Sequence, residues 1–139
     1  MKGQIMALST VRILYVENQA LVFLTVKQML EQEGWEVDYA RNMIGALQKI
    51  EREEERYDLI ILDSKLRGGR GLELLRRVRE LPYRRRTPVL MFTSEECSSE
   101  ALSAGADAYR PQPEGIRSIT ATIRRLLKAR KVSLSRNVH

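Results

Sequence analysis

The sequence predicts an α/β fold built on a doubly wound parallel sheet, and three observations carry that prediction. Short apolar, β-branched runs alternate along the chain with segments of helical periodicity. The central runs are apolar throughout, as expected of strands covered on both faces. Each of them ends in polar residues: Ile13-Leu14-Tyr15-Val16 leads into Glu17-Asn18, Leu59-Ile60-Ile61-Leu62 into Asp63, and Val89-Leu90-Met91-Phe92 into Thr93-Ser94. Polar residues at the carboxyl ends of parallel strands face the crevice where such folds bind ligands.

The first strand covers residues 11–16 and the first helix residues 19–33, with Val22, Val26, Met29 and Leu30 on one stripe and Gly34 as its stop. Residues 35–39 alternate as a short strand. Ile44, Leu47 and Ile50 mark a second helix, opened by Asn42 as N-cap and closed by the charge run 51–56. The third strand spans 57–62. A third helix contains Leu72, Leu75, Val78 and Arg79 and ends at Leu81-Pro82. The fourth strand is 88–92, followed by a short helix over 95–104 that Gly105 ends. A brief strand at Ala108-Tyr109 precedes Pro111-Gln112-Pro113, and Ile116, Ile119, Ile123, Leu126 and Leu127 line a last helix. Five strand–helix units with right-handed crossovers leave few topologies, of which the flavodoxin-like order 2-1-3-4-5 is the commonest. In that order the first and third strands are neighbours at the switch point. Glu17 and Asp63 then meet in one crevice, with Thr93 arriving from the fourth strand. A carboxylate pair beside a hydroxyl suits a divalent cation and a phosphoryl group.

With 139 residues, 43% apolar and 30% charged, the chain reads as one globular domain over residues 11–130, with an N-terminal leader at 1–10 and a flexible tail at 131–139. No apolar stretch has the length of a bilayer span, residues 1–10 lack the features of a secretory signal, and the single Cys97 excludes an internal disulfide framework. The cytoplasm is the expected compartment. The net charge of +6 is assigned to solvated helix faces, including Arg84-Arg85-Arg86 and Arg124-Arg125-Lys128-Arg130-Lys131. Nucleic-acid binding would ask for interleaved aromatics or a reading helix, and the sequence offers neither. Trp35, the methionines and Cys97 read as core or near-surface filler, and His139 is assigned no role.

The runs 13–18 and 59–63, the stretch Gly71-Leu72-Glu73-Leu74-Leu75, the segment 88–94 and the block Gly105-Ala106-Asp107-Ala108-Tyr109 together resemble the receiver domains of bacterial two-component response regulators, over about residues 11–129. The resemblance implies that a phosphohistidine on a histidine kinase or histidine phosphotransfer protein donates its phosphoryl group to Asp63. It implies Mg2+ held by Asp63, by Glu17 and Asn18 after the first strand, and by the main-chain carbonyl of Lys65. It gives phosphoryl-contact and switch positions to Thr93, Ser94, Tyr109 and Gln112, with the surface of the fourth helix, fifth strand and fifth helix responding. Such a chain is a single-domain signalling protein, no enzyme beyond its own phosphoryl transfer and hydrolysis, and its downstream protein target is not indicated. Taken alone, Tyr109 reads equally as a packed strand aromatic and Thr93 as an N-cap for the helix that follows.

Two positions depart from the family pattern. Asn18 stands where a second acid is usual, and Gln112 where a lysine precedes the proline. An amide oxygen is a neutral metal ligand, and an uncharged donor makes weaker bonds than an ammonium. The departures therefore leave open an alternative, a pseudo-receiver acting as a phosphorylation-independent interaction module. They also compensate one another, because losing one acid and one lysine leaves the formal charge of the pocket unchanged. Lys65 is a candidate substitute cation, the plain alternative being an ammonium that points into water. In the first helix Leu21, Phe23 and Leu24 are apolar beyond the core stripe, and Leu21 and Leu24 are candidates for docking the partner. From Thr93 to Gly105 is 12 residues, which shortens the fourth helix by nearly a turn of ~3.6 residues against the family. A short or mobile fourth helix predicts a non-standard homodimer or output surface.

Overall fold

The computed structural model describes residues 10–137; nearly all of the expected leader, and His139, lie outside the described residues. Five parallel strands, β1 (Arg12–Val16), β2 (Glu36–Ala40), β3 (Leu59–Leu62), β4 (Val89–Thr93) and β5 (Ala108–Pro111), form one sheet in the order β2-β1-β3-β4-β5. The helices are α1 (Ala20–Glu31), α2 (Met43–Ile50), α3 (Gly71–Glu80), α4 (Ser98–Ser103) and α5 (Ile119–Asn137), the last preceded by a 3-10 turn, Glu114–Ser118. The topology is the flavodoxin-like one expected, and strand ends shift by one or two residues from the sequence reading.

Strand alternation divides the interior in two. Leu14, Val16, Ile60, Leu62, Val89 and Met91 face α2, α3 and α4, while Ile13, Tyr15, Leu59, Ile61, Leu90 and Phe92 face α1 and α5. Both faces are therefore covered, which is why the strands carry unbroken apolar runs. Local signals fix the ends of several elements. Asn42 caps α2 as expected, its side chain accepting from the Gly45 amide at 2.8 Å. Gly34 adopts φ +86° just past α1, where a side chain would be strained.

Four expectations need correction. Phe23 belongs to the core rather than to the surplus apolar set, because it stacks on Tyr39 with centroids 3.6 Å apart. Ile44 lies on the solvent side of α2, and the small Ala46 with Ile50 takes the buried face instead. Arg84 is no solvated residue. Its guanidinium bonds the carbonyls of Lys49, Ile50 and Arg52 at the open end of α2 and lies over the rings of Tyr57 and Tyr83. Finally, α5 runs through Lys131 to Asn137, into the segment expected to be loose. α4 holds six residues, short as its spacing predicts. Among the described residues no helix is long and apolar enough to cross a membrane.

Candidate functional site

The crevice lies at the carboxyl ends of β1, β3 and β4. Pairing of Val16 with Leu62 sets the ends of β1 and β3 level, and the Asp63 amide donates to the Val16 carbonyl at 3.0 Å. Glu17 and Asp63, each one residue past its strand, are thus neighbours, and both are buried. Gly71 lets the loop after Asp63 close. A Cβ at Gly71 would meet the Asp63 carbonyl oxygen at 2.0 Å, and its own amide donates to Ser64 O at 2.8 Å. Between them, residues Lys65–Leu66 and Gly69–Arg70 pair as a small antiparallel hairpin.

Glu17 is held from several sides. Tyr15 Oη donates to Oε1 at 3.2 Å, the Gln19 amide to Oε2 at 3.3 Å and Gln112 Nε2 to Oε1 at 3.1 Å, while Tyr39 Oη donates to its main-chain carbonyl at 2.8 Å. Burial pushes the Glu17 carboxyl up to about 8, and the neighbouring Asp63 carboxylate pushes the same way. Two acids are crowded here. Gln112 spends its amide on Glu17 and on Phe92 O, at 2.9 Å, and its own main chain bonds Thr93 O at 2.9 Å. It lies in the crevice as a neutral donor.

Two buried carboxylates side by side are hard oxygen donors of the kind a divalent cation takes. No group of three or more His, Cys, Asp and Glu side chains forms among the described residues, so the remaining ligands would have to be neutral oxygens. Asn18 is exposed and lines an open cleft with Arg41, Asn42, Leu66 and Arg67. Lys65, two residues past Asp63, is exposed.

Thr93 ends β4 and is buried, but it caps no helix. Its Oγ1 accepts from the Glu95 amide at 3.2 Å, and α4 starts only at Ser98. Ser94 is exposed. Tyr109 is half-buried, its hydroxyl donating to Glu95 O at 2.9 Å. Two residues of this network escaped the sequence reading. Ser64 is fully buried, with Oγ 2.8 Å from Thr93 Oγ1 and 2.7 Å from Glu95 Oε1. The available signal was a hydroxyl directly after Asp63, at a position the fold buries. Leu21 and Leu24 stand out on α1, 81% and 57% exposed.

Comparison with known proteins agrees with this geometry. The family model described as response regulator receiver domain matches residues 13–124. The phosphate regulon transcriptional regulatory protein PhoB of Rhizobium meliloti (strain 1021) is 34% identical over 123 residues, covering 86% of this chain and 53% of that protein. ResD of Bacillus subtilis (strain 168) is 32% identical over 120 residues, covering 84% and 48%. The chain thus spans about half the length of the curated relatives it matches. Among solved structures, a CheY-like response regulator receiver domain protein from Methanospirillum hungatei JF-1 superposes with TM-score 0.82 and 34% identity, covering 90% of this chain and 99% of that one. Chemotaxis response regulator CheY4 of Vibrio cholerae gives 0.76 and 26%, covering 85% and 99%.

Proposed function

The chain belongs to the response regulator receiver domain family of two-component signalling, and from that premise we propose that Asp63 accepts a phosphoryl group from a histidine kinase or histidine phosphotransfer protein in the cytoplasm. The observation that carries this reading is the burial of Glu17 and Asp63 side by side at the strand ends, with the Thr93 hydroxyl in the next strand. Crowding two acids in a buried site costs stability unless a cation enters. Asp63, Glu17, the Asn18 amide and the Lys65 carbonyl would hold magnesium, which when bound supplies charge neutralisation for phosphoryl oxygens. Asp63 is the nucleophile. Glu17 serves as the second anionic ligand, positioned by Tyr15, Gln19 and Gln112. Thr93 offers a hydroxyl to a phosphoryl oxygen, and Tyr109 ties the loop after β4 to β5. Lys65, exposed on the hairpin, is the nearest sequence neighbour able to bring a mobile positive charge. Leu21 and Leu24 form the docking patch for the phosphodonor protein.

One observation favours the second reading, a pseudo-receiver that binds partners without phosphorylation. The Gln112 amide is already spent on Glu17 Oε1 and Phe92 O, so the site contains a closed neutral contact where a free cation would face phosphate. Intact mass after incubation with acetyl phosphate and magnesium separates the two. Uptake of one phosphoryl group by wild type but not by Asp63→Asn supports the acceptor; no uptake supports the pseudo-receiver.

A further inference from the structure

The hydroxyl hydrogen of Thr93 is already committed. Ser64 Oγ donates to Glu95 Oε1 at 2.7 Å, a contact in which the carboxylate can only accept. A serine has one hydroxyl hydrogen, so the 2.8 Å contact between Ser64 and Thr93 must be donated by Thr93. Thr93 Oγ1 in turn accepts from the Glu95 amide at 3.2 Å. Glu95 is itself anchored at two points: Arg70 Nη2 lies 3.4 Å from its Oε1, and Tyr109 Oη donates to its carbonyl at 2.9 Å. Ser64 and Thr93 are both buried, so water does not offer an easy substitute partner.

We propose that Ser64 and Glu95 are positioning residues that direct the Thr93 hydrogen away from the phosphoryl site, and so set the threshold for engaging a phosphoryl group on Asp63. The inference rests on the phosphoacceptor reading and goes beyond it. To donate to a phosphoryl oxygen, Thr93 must break its bond to Ser64, and that bond is maintained only while Glu95 takes the Ser64 hydrogen. Removing Ser64 leaves the Thr93 hydroxyl without its acceptor in the free protein and free for the phosphoryl group. Removing the Glu95 carboxylate lets Ser64 donate to Thr93 instead, which reverses the bond and releases the same hydrogen.

The test measures binding of beryllium fluoride with magnesium, a phosphoryl mimic, by calorimetry on the full chain. Ser64→Ala is expected to bind roughly 2- to 10-fold more tightly than wild type, the span of one net hydrogen bond. Glu95→Ala, altered outside the buried part of the network, should tighten binding in the same direction. In a Thr93→Ala background neither change should alter affinity, because both act through that hydroxyl. Equal or weaker binding by Ser64→Ala and Glu95→Ala, or an unchanged gain in the Thr93→Ala background, overturns the inference while leaving the acceptor reading intact. Binding by Ser64→Ala alone, with none by wild type, supports it in its strongest form. No binding by any variant overturns both.

Discussion

Replacing Gln112 by lysine should move the titration of Glu17 down the pH scale. Gln112 Nε2 lies 3.1 Å from Glu17 Oε1, so a lysine reaching the same place would set a full charge against the carboxylate. At that separation and an effective dielectric of about 20 the gross attraction is roughly 5 kcal/mol. Desolvation of the new ammonium offsets part of it, and an opposite charge at such range lowers a carboxyl pKa by about 1–3 units, or ~1.4–4 kcal/mol. Glu17, pushed up to about 8 in the metal-free domain, would then titrate at roughly 5–7. The sign follows from proton counting. Folded wild type keeps the Glu17 proton between its ordinary 4.5 and about 8 while the unfolded chain loses it, so metal-free stability falls as pH rises through that window. Gln112→Lys should flatten the fall. Magnesium must displace the same proton, so its apparent affinity in wild type should weaken by up to ~10-fold per unit below about 8, and less so in the variant. Carbon-13 NMR of the Glu17 carboxyl gives the midpoint directly, with Glu17→Gln to assign the signal. A midpoint that stays put, or rises, refutes the electrostatic reasoning.

Three further outcomes are expected. Gly71→Ala would force a Cβ to within 2.0 Å of the Asp63 carbonyl oxygen, and urea denaturation should show a loss of at least about 1–3 kcal/mol. Leu24→Glu, on an exposed site of α1, should leave the melting temperature nearly unchanged while weakening the complex with the phosphodonor protein; unchanged binding would assign the patch another purpose. Lys65→Ala should slow phosphorylation of Asp63, and adding Gln112→Lys should restore it; normal kinetics in Lys65→Ala would leave that ammonium a solvated side chain.

The fold and the acidic pair were legible in the sequence because both follow from local patterning. An unbroken apolar run marks a doubly covered strand, and the polar residue that ends it marks the crevice, so Glu17, Asp63 and Thr93 could be placed together from topology alone. What escaped depends on distant partners. Arg84 stands in a run of three arginines and looks solvated, yet α2 ends beside it with carbonyls that need donors. Ile44 falls outside the core because Met43, Ala46, Leu47 and Ile50, spaced i, i+3, i+4 and i+7, make the stripe of α2 that faces the sheet. Thr93 reads as a cap until the loop to Ser98 is seen to separate it from α4. Ser64 carried a signal, but its meaning needs the side chain of Glu95, which sits 31 residues further along the chain.

The central claim, that Asp63 is the phosphoacceptor, is tested most directly by trapping the acyl phosphate. Wild type and Asp63→Asn are incubated with acetyl phosphate and magnesium, reduced with borohydride, and mapped by peptide mass spectrometry. The acceptor reading predicts reduction of residue 63 to homoserine in wild type and at no position in Asp63→Asn. An unmodified Asp63, or a reduced carboxylate elsewhere in the chain, would contradict it.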